Sequence, residues 1–219
     1  MAEKPILFSG EMIRAILDGR KTQTRRVIKD KTFYFGDFAV QLQRMSKNDM
    51  SLVTGNDFIK CPYGQVGDFL WVRETWACIG AEHVKPSKIA PGYSVNYKAD
   101  NDPENWRVEK WRPSIFMPRW ASRITLKITN VRVERVQDIS QDDAKAEGIA
   151  RNWLGADCPP EYENEWMNYT PNDEEGFPCY SPTESFQTLW DSINEKRGFG
   201  WDVNPWVWVV EFEKTEVSE

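Results

Sequence analysis

The sequence has one histidine, His83, and four cysteines, Cys61, Cys78, Cys158 and Cys179, none of them in a CxxC pair. A zinc site draws on Cys and His ligands at short spacing, and a disulfide framework on a dense cysteine set. The expectation is therefore no metal, no cofactor and incidental or buried thiols. A lone histidine also disfavours a His-based nucleophile triad. Neither GxxxxGK[ST] nor GxGxxG occurs, so no phosphate-cradling loop is signalled. No apolar run approaches the roughly 20 residues a membrane helix needs. The segment MAEKPILFSGEM has neither the apolar core nor the small-residue cleavage site of a signal peptide. These absences lead to the expectation of a cytoplasmic protein with no membrane partner. Internal repeats and low-complexity tracts are also missing, and nothing specifies an oligomeric state.

What is present is a 219-residue chain with 28 Lys and Arg, 34 Asp and Glu and a formal net charge of −6. That length suits a single domain, 1–219, carrying insertions at about 77–118 and 151–182, both rich in turn-forming residues. Eleven tryptophans are many for such a chain. They serve as large core side chains or as a surface on which flat ligands stack. Positive charge gathers at Arg14 to Lys31 and Arg107 to Arg135, negative charge at Asp138 to Glu147 and Asp157 to Glu184. Local charge rather than the average decides whether nucleic acid binds.

Ser9 is placed to cap a helix with Met12, Ile13, Ile16 and Leu17 on one face, ended by Gly19. The polar stretch Lys47 to Gly55 reads as a loop. FLWVRE at 69–74 reads as a strand after the Gly67-Asp68 turn, and Val95 to Tyr97 as a short strand. RITLKITNVRVERV at 123–136 gives the best strand signal. Its alternation slips at Thr129-Asn130, which predicts a bulge or bend, and Val131 and Val133 then share a face. Ser140 to Asp143 predicts a short helix over about 141–147, ended by Gly148. Phe186, Leu189, Trp190 and Ile193 mark an amphipathic helix, and WVWVVEFE at 206–213 a central strand. Strands outnumber helices, which implies an α+β fold with a curled, barrel-like mixed sheet.

GRKTQTRR, residues 19–26, begins where the first helix ends. A glycine-led GxKxxxxR segment in that position resembles the signature of the ASCH family, within the PUA-like superfamily. Gly67-Asp68, the run from Asp138-Ile139-Ser140 to Glu147-Gly148-Ile149, and the C-terminal helix and strand resemble its later features in order. The chain looks most like the large ASCH proteins of bacteriophage and prophage genomes. The resemblance implies a PUA-like curled mixed β-barrel with a few short helices, into which the long insertions are set. A narrower likeness is to the family's N(4)-acetylcytidine amidohydrolases, whose GRKTxTxR pattern is matched at Gly19, Arg20, Lys21, Thr22, Thr24 and Arg26. It implies catalytic roles for Lys21, Thr24 and Glu147.

The chemistry is coherent. A threonine hydroxyl is a weak nucleophile until a neighbour takes its proton. Lysine does so when desolvation or nearby cations lower its pKa, and Arg20, Arg25 and Arg26 are candidate cations. Glu147 would orient the lysine or protonate the leaving amine. The candidate substrate-binding residues are Arg20, Arg25, Arg26, Trp71, Arg73, Glu74 and Trp76, the tryptophans as a wall for a base. Each also has a plainer reading: a solvated basic loop, a strand threonine, an exposed helix-end carboxylate, core and rim packing. Trp106, Trp111, Arg112, Arg119 and Trp120 interleave cations with aromatics, which suits single-stranded nucleic acid or a loop tacked onto the core. Trp206 and Trp208 read as core. The leading expectation is a nucleobase or modified-nucleoside site, with hydrolysis of N-acylated cytidine. The alternatives are a non-catalytic RNA- or DNA-binding module and a single-strand ribonuclease, each compatible with phage counter-defence.

Overall fold

Residues 1–29, 51–54, 57–100, 105, 107–151, 166–170 and 179–215 are described by the computed structural model, with backbone alone at 51–54 and 57–60. The first elements follow the sequence closely. Strand β1 (Glu3–Leu7) leads into helix α1 (Gly10–Leu17). The Ser9 hydroxyl accepts the Met12 N–H, and Ile13 and Ile16 are buried with Ala15. Gly19 stops the helix at φ 74°, a left-handed conformation that costs glycine least. Strand β2 (Gln23–Val27) follows. Strands β3 (Ser51–Thr54) and β4 (Asp57–Lys60) pair antiparallel, Leu52 opposite Ile59 and Val53 opposite Phe58. This corrects the loop expected over 47–55. SLVT and DFIK carry enough β-branched and aromatic residues to pair, which their polar surroundings masked.

Strand β5 (Phe69–Arg73) is followed by the short antiparallel pair β6 (Trp76–Cys78) and β7 (Val95–Tyr97). The long strand β8 (Thr125–Arg135) leads to helix α2 (Gln141–Ala146), and helix α3 (Pro182–Asn194) precedes strand β9 (Trp206–Thr215). The strands form a five-stranded mixed sheet in the order β1-β5-β8-β9-β2, which makes the fold α+β with β9 inside the sheet. The order has two ends, so the sheet is open and the expected barrel closure is not seen among the described residues. β1 is fit to be an edge: Pro5 lacks the N–H a further strand would need.

The chain divides into two compact units. The first holds Met1–Gly19, Pro62–Thr129 and Phe212–Glu219. Here β1 runs parallel to β5, with Ile6 opposite Val72, and β5 pairs antiparallel with the first part of β8, with Leu70 opposite Leu126. The stretch expected as a decorated loop at 77–118 packs an apolar cluster of its own, in which Trp76, Cys78, Ala81, Ile89, Met117 and Ala121 are buried. At the Gly67-Asp68 turn, φ of Gly67 is 90°, and the Asp68 carboxylate accepts the Ala2 N–H at 2.7 Å.

The second unit holds Arg20–Cys61 and Asn130–Glu211. In it β2 pairs antiparallel with β9, Thr24 opposite Val210 and Arg25 opposite Val209. Its core is Val136, Ile139, Ala144, Ile149, Phe186, Trp190, Val207 and Val209. On α3 the expected face is shifted: Ile193 is exposed, and Asn194 is buried in its place, its amide donating to the Trp190 carbonyl. Trp208 is buried as expected, while Trp206 is half-buried with Arg135 4.2 Å from its ring centroid. Cys158, Trp106 and most of the 151–182 insertion lie outside the described residues.

Candidate functional site

Backbone contacts set Lys21 beside the end of α2. The Thr22 N–H donates to the Ala146 carbonyl at 2.9 Å, and Lys21 forms an isolated antiparallel bridge with Glu147. Ser140 caps α2 by accepting the Asp143 N–H, Glu147 is the last residue in helical conformation, and Gly148 turns the chain away at φ 85°. The last carbonyls of a helix lack intrahelical donors and favour a cation. The Lys21 ammonium supplies both. It donates to the Glu147 carbonyl at 2.7 Å and to Glu147 Oε2 at 2.8 Å. Lys21 and Glu147 are only 2% and 4% exposed.

The other Glu147 oxygen belongs to Arg25, whose Nη1 lies 3.0 Å from Oε1. Arg25 Nε donates to Glu134 at 2.8 Å, its Nη2 faces Asp143 at 3.6 Å, and its guanidinium sits 5.7 Å from the Phe186 ring centroid. Further out, Arg132 reaches Glu134 at 3.1 Å, Asp143 at 3.1 Å and Glu211. Gln23 donates to the Asp143 carbonyl at 2.6 Å and to its carboxylate at 3.0 Å. A buried charge is tolerated only when it is paired and hydrogen-bonded, and here each charge has a partner.

Burial pushes the Lys21 amine below the ordinary lysine range. Its pairing with Glu147 opposes that shift, and the Arg26 and Arg25 cations add to it. For Asp143 burial pushes the other way, but hydrogen bonds from Gln23 and Ser140 and the charges of Arg132 and Arg25 prevail and hold the carboxyl below its usual value.

Strand geometry separates the sequence-predicted residues. Side chains alternate between faces, and Gln23 and Arg25 both reach the α2 end of the network. Thr24 therefore lies on the opposite face of β2 with Arg26, where it is buried, rather than on the face that meets Glu147. Lys21, Arg25 and Glu147 are brought together and Thr24 is not. Arg20 is exposed and donates to the Gly148 carbonyl at 3.0 Å, and Arg26 is half-buried. The charges that make GRKTQTRR look like a solvent-facing basic patch are mostly turned inward.

The remaining predicted residues belong to the first unit. Trp76 is fully buried in its cluster, edge-on to Trp120, so it offers no face to a stacking base and that expectation is corrected. Trp71 is buried under Arg73, whose guanidinium is 4.5 Å from the ring centroid, with Arg119 at 5.9 Å. Arg73 donates to the Ile115 carbonyl at 3.3 Å. Glu74 is buried and takes both prongs of Arg123, at 2.9 and 3.0 Å. Arg112, read as one of the cations interleaved with aromatics, is buried and donates to the Ala81 carbonyl.

Sequence reading missed Glu134, Asp143, Gln23 and Arg132. The even-numbered alternation of Ile124, Leu126 and Ile128, continued without a change of phase, was the available signal for Glu134. After Ile128 the buried positions are Val131 and Glu134, spaced by three, so Glu134 turns inward where Val133 was expected. Gln23 was legible as the residue between Lys21 and Arg25 on a period of two. Among the described residues no group of three or more His, Cys, Asp or Glu could hold a metal ion, and no helix is long and apolar enough to cross a membrane.

No family model and no curated protein matches the chain. A solved structure similar to it is the ASCH domain from Lactobacillus crispatus JV V101, with 10% identity, coverage of 97% of this chain and 79% of that one, and a TM-score of 0.37. At that TM-score the likeness stands as an observation alone.

Proposed function

We propose that the protein recognises a nucleobase or modified nucleoside at the Lys21–Glu147 site and hydrolyses an N-acyl group from it, N-acylated cytidine being the substrate class that the GRKTQTRR resemblance implies. The observation that supports this most is the desolvated Lys21 amine, held 2.8 Å from Glu147 and shifted toward its neutral form. A neutral amine takes a proton, and an ordinary surface lysine does not.

In this reading neutral Lys21 takes a proton from a water molecule as the water oxygen bonds to the acyl carbon. The acyl C–N bond then breaks, and the nitrogen leaves as the exocyclic amine with the proton returned by Lys21. The acyl group departs as a carboxylic acid, which gives its proton to solvent and becomes the carboxylate. Water is the nucleophile because Thr24 lies on the far face of β2. Glu147, held between Lys21 and Arg25, orients the amine. Lys21 is buried in this conformation, so the site has to open to admit substrate.

The test is incubation of the pure protein with N(4)-acetylcytidine, with cytidine measured by chromatography. Conversion by the unmodified protein, abolished in Lys21→Met, is the expected result. Intact acetylcytidine after incubation with the unmodified protein rules the hydrolysis out.

A further inference from the structure

Glu134 is buried at the centre of the network. Its Oε1 accepts Nε and Nη2 of Arg25, and its Oε2 accepts from Arg132. Arg25 lies between two carboxylates, Glu134 on one side and Glu147 on the other. Each oxygen of Glu147 has a different cation, Arg25 on Oε1 and Lys21 on Oε2. A guanidinium free of Glu134 would favour the two-pronged grip on a carboxylate that its fork geometry suits. It would then compete with Lys21 for Oε2.

We propose that Glu134 is a positioning residue acting through Arg25: by anchoring the guanidinium it limits Arg25 to one oxygen of Glu147 and leaves the other to Lys21. This rests on the reading of Lys21 and Glu147 as the working pair. Among the described residues, the charged groups around Lys21 are Glu147, Arg25 and Arg26, with Arg20, Glu134, Asp143 and Arg132 beyond them. Arg25 acts on the amine in two ways, as a repelling cation and as a rival for its carboxylate. Both favour the neutral amine. Glu134 sets how strongly the second operates.

The test is a titration of Lys21 itself, which requires no substrate, so its failure is distinct from failure of the hydrolysis. The 219-residue chain is labelled with 13Cε-lysine, and the Lys21 signal is identified by its loss in Lys21→Met. Arg25→Gln is expected to move the Lys21 midpoint up, since a cation and a rival are both removed. Glu134→Gln is expected to move it down, since the released guanidinium turns onto Glu147. The double variant is expected to match Arg25→Gln alone, because Glu134 is bonded to Arg25 and Arg132 and reaches the Glu147 oxygens through Arg25. In Arg25→Gln, Glu134 keeps Arg132 and Glu147 keeps Lys21, so no charge is stranded. Should Glu134→Gln fail to fold, comparison of Arg25→Gln with the double variant carries the test alone. Midpoints that coincide support the relay. A further shift on adding Glu134→Gln to Arg25→Gln overturns it, as does an unmoved midpoint in Arg25→Gln.

Discussion

Each unit buries a glutamate against a cation, and the two pairs have opposite consequences. In the first unit Glu74 faces Arg123, which grips it with two prongs, pairs with Asp100 at 2.6 Å on its other side and lies 4.0 Å from the Tyr97 ring centroid. In the second unit Glu147 faces Lys21. Burial raises Glu74 above the usual carboxylate value against the hydrogen bonds and charge of Arg123. Burial also works against the Arg123 charge, but the bonds to Glu74 and Asp100 outweigh it and drive its pKa up. Both pKa values rise, which favours the neutral form of the carboxyl and the charged form of the guanidinium. The two-pronged geometry favours the ionised pair, because a guanidinium does not release its proton in a protein. The Lys21 amine can release one. A buried carboxylate thus makes a staple with arginine, and with lysine it holds an amine that can lose its proton.

Predicted effects that test this contrast run from large to small. Lys21→Met should reduce acyl hydrolysis by about 10²–10⁴-fold, the usual worth of a positioned base. It should leave the protein folded, since Glu147 retains Arg25. Arg123→Met should do the reverse. It strands Glu74 and should lower unfolding free energy by about 3 kcal/mol in urea denaturation, the order expected for breaking a buried pair. Hydrolysis should not change.

A subtler effect lies in alkaline solution. The folded-state pKa of Lys21 is lowered, so the unfolded chain binds that proton more tightly. Stability contributed by this group therefore rises as pH climbs from the folded Lys21 midpoint toward the ordinary lysine value. The difference in melting temperature between unmodified protein and Lys21→Met should grow in favour of the unmodified protein over that interval. The smallest effect is expected at Thr24. Thr24→Val keeps shape and burial and should leave the hydrolysis rate unchanged. A large loss would return the threonine to the chemistry.

The sequence showed local features well and long-range ones poorly. Ser9, Gly19, Ser140 and Gly148 act on residues a few positions away, so helix ends were readable. Lys21 and Glu147 were readable as a pair only through family resemblance, since 126 positions separate them. The inward turn of Glu134 was hidden because the alternation restarted at Val131, after the slip at Thr129-Asn130, puts Val133 inside. An apolar residue looks the more natural choice for burial than a carboxylate whose partner, Arg25, lies 109 positions away. The tryptophans misled for a related reason. A sequence shows that Trp76 and Trp120 are aromatic but not that they pack edge to edge.

The most direct test replaces the lysine of the second unit with the residue that serves the first. Lys21→Arg keeps the positive charge and the chance of pairing with Glu147, and removes the proton that can leave. The measurement is the rate of acetylcytidine hydrolysis by Lys21→Arg, taken with its melting temperature. A folded protein without hydrolysis is the predicted result. Hydrolysis at the unmodified rate would contradict the claim that a titrating lysine performs the chemistry.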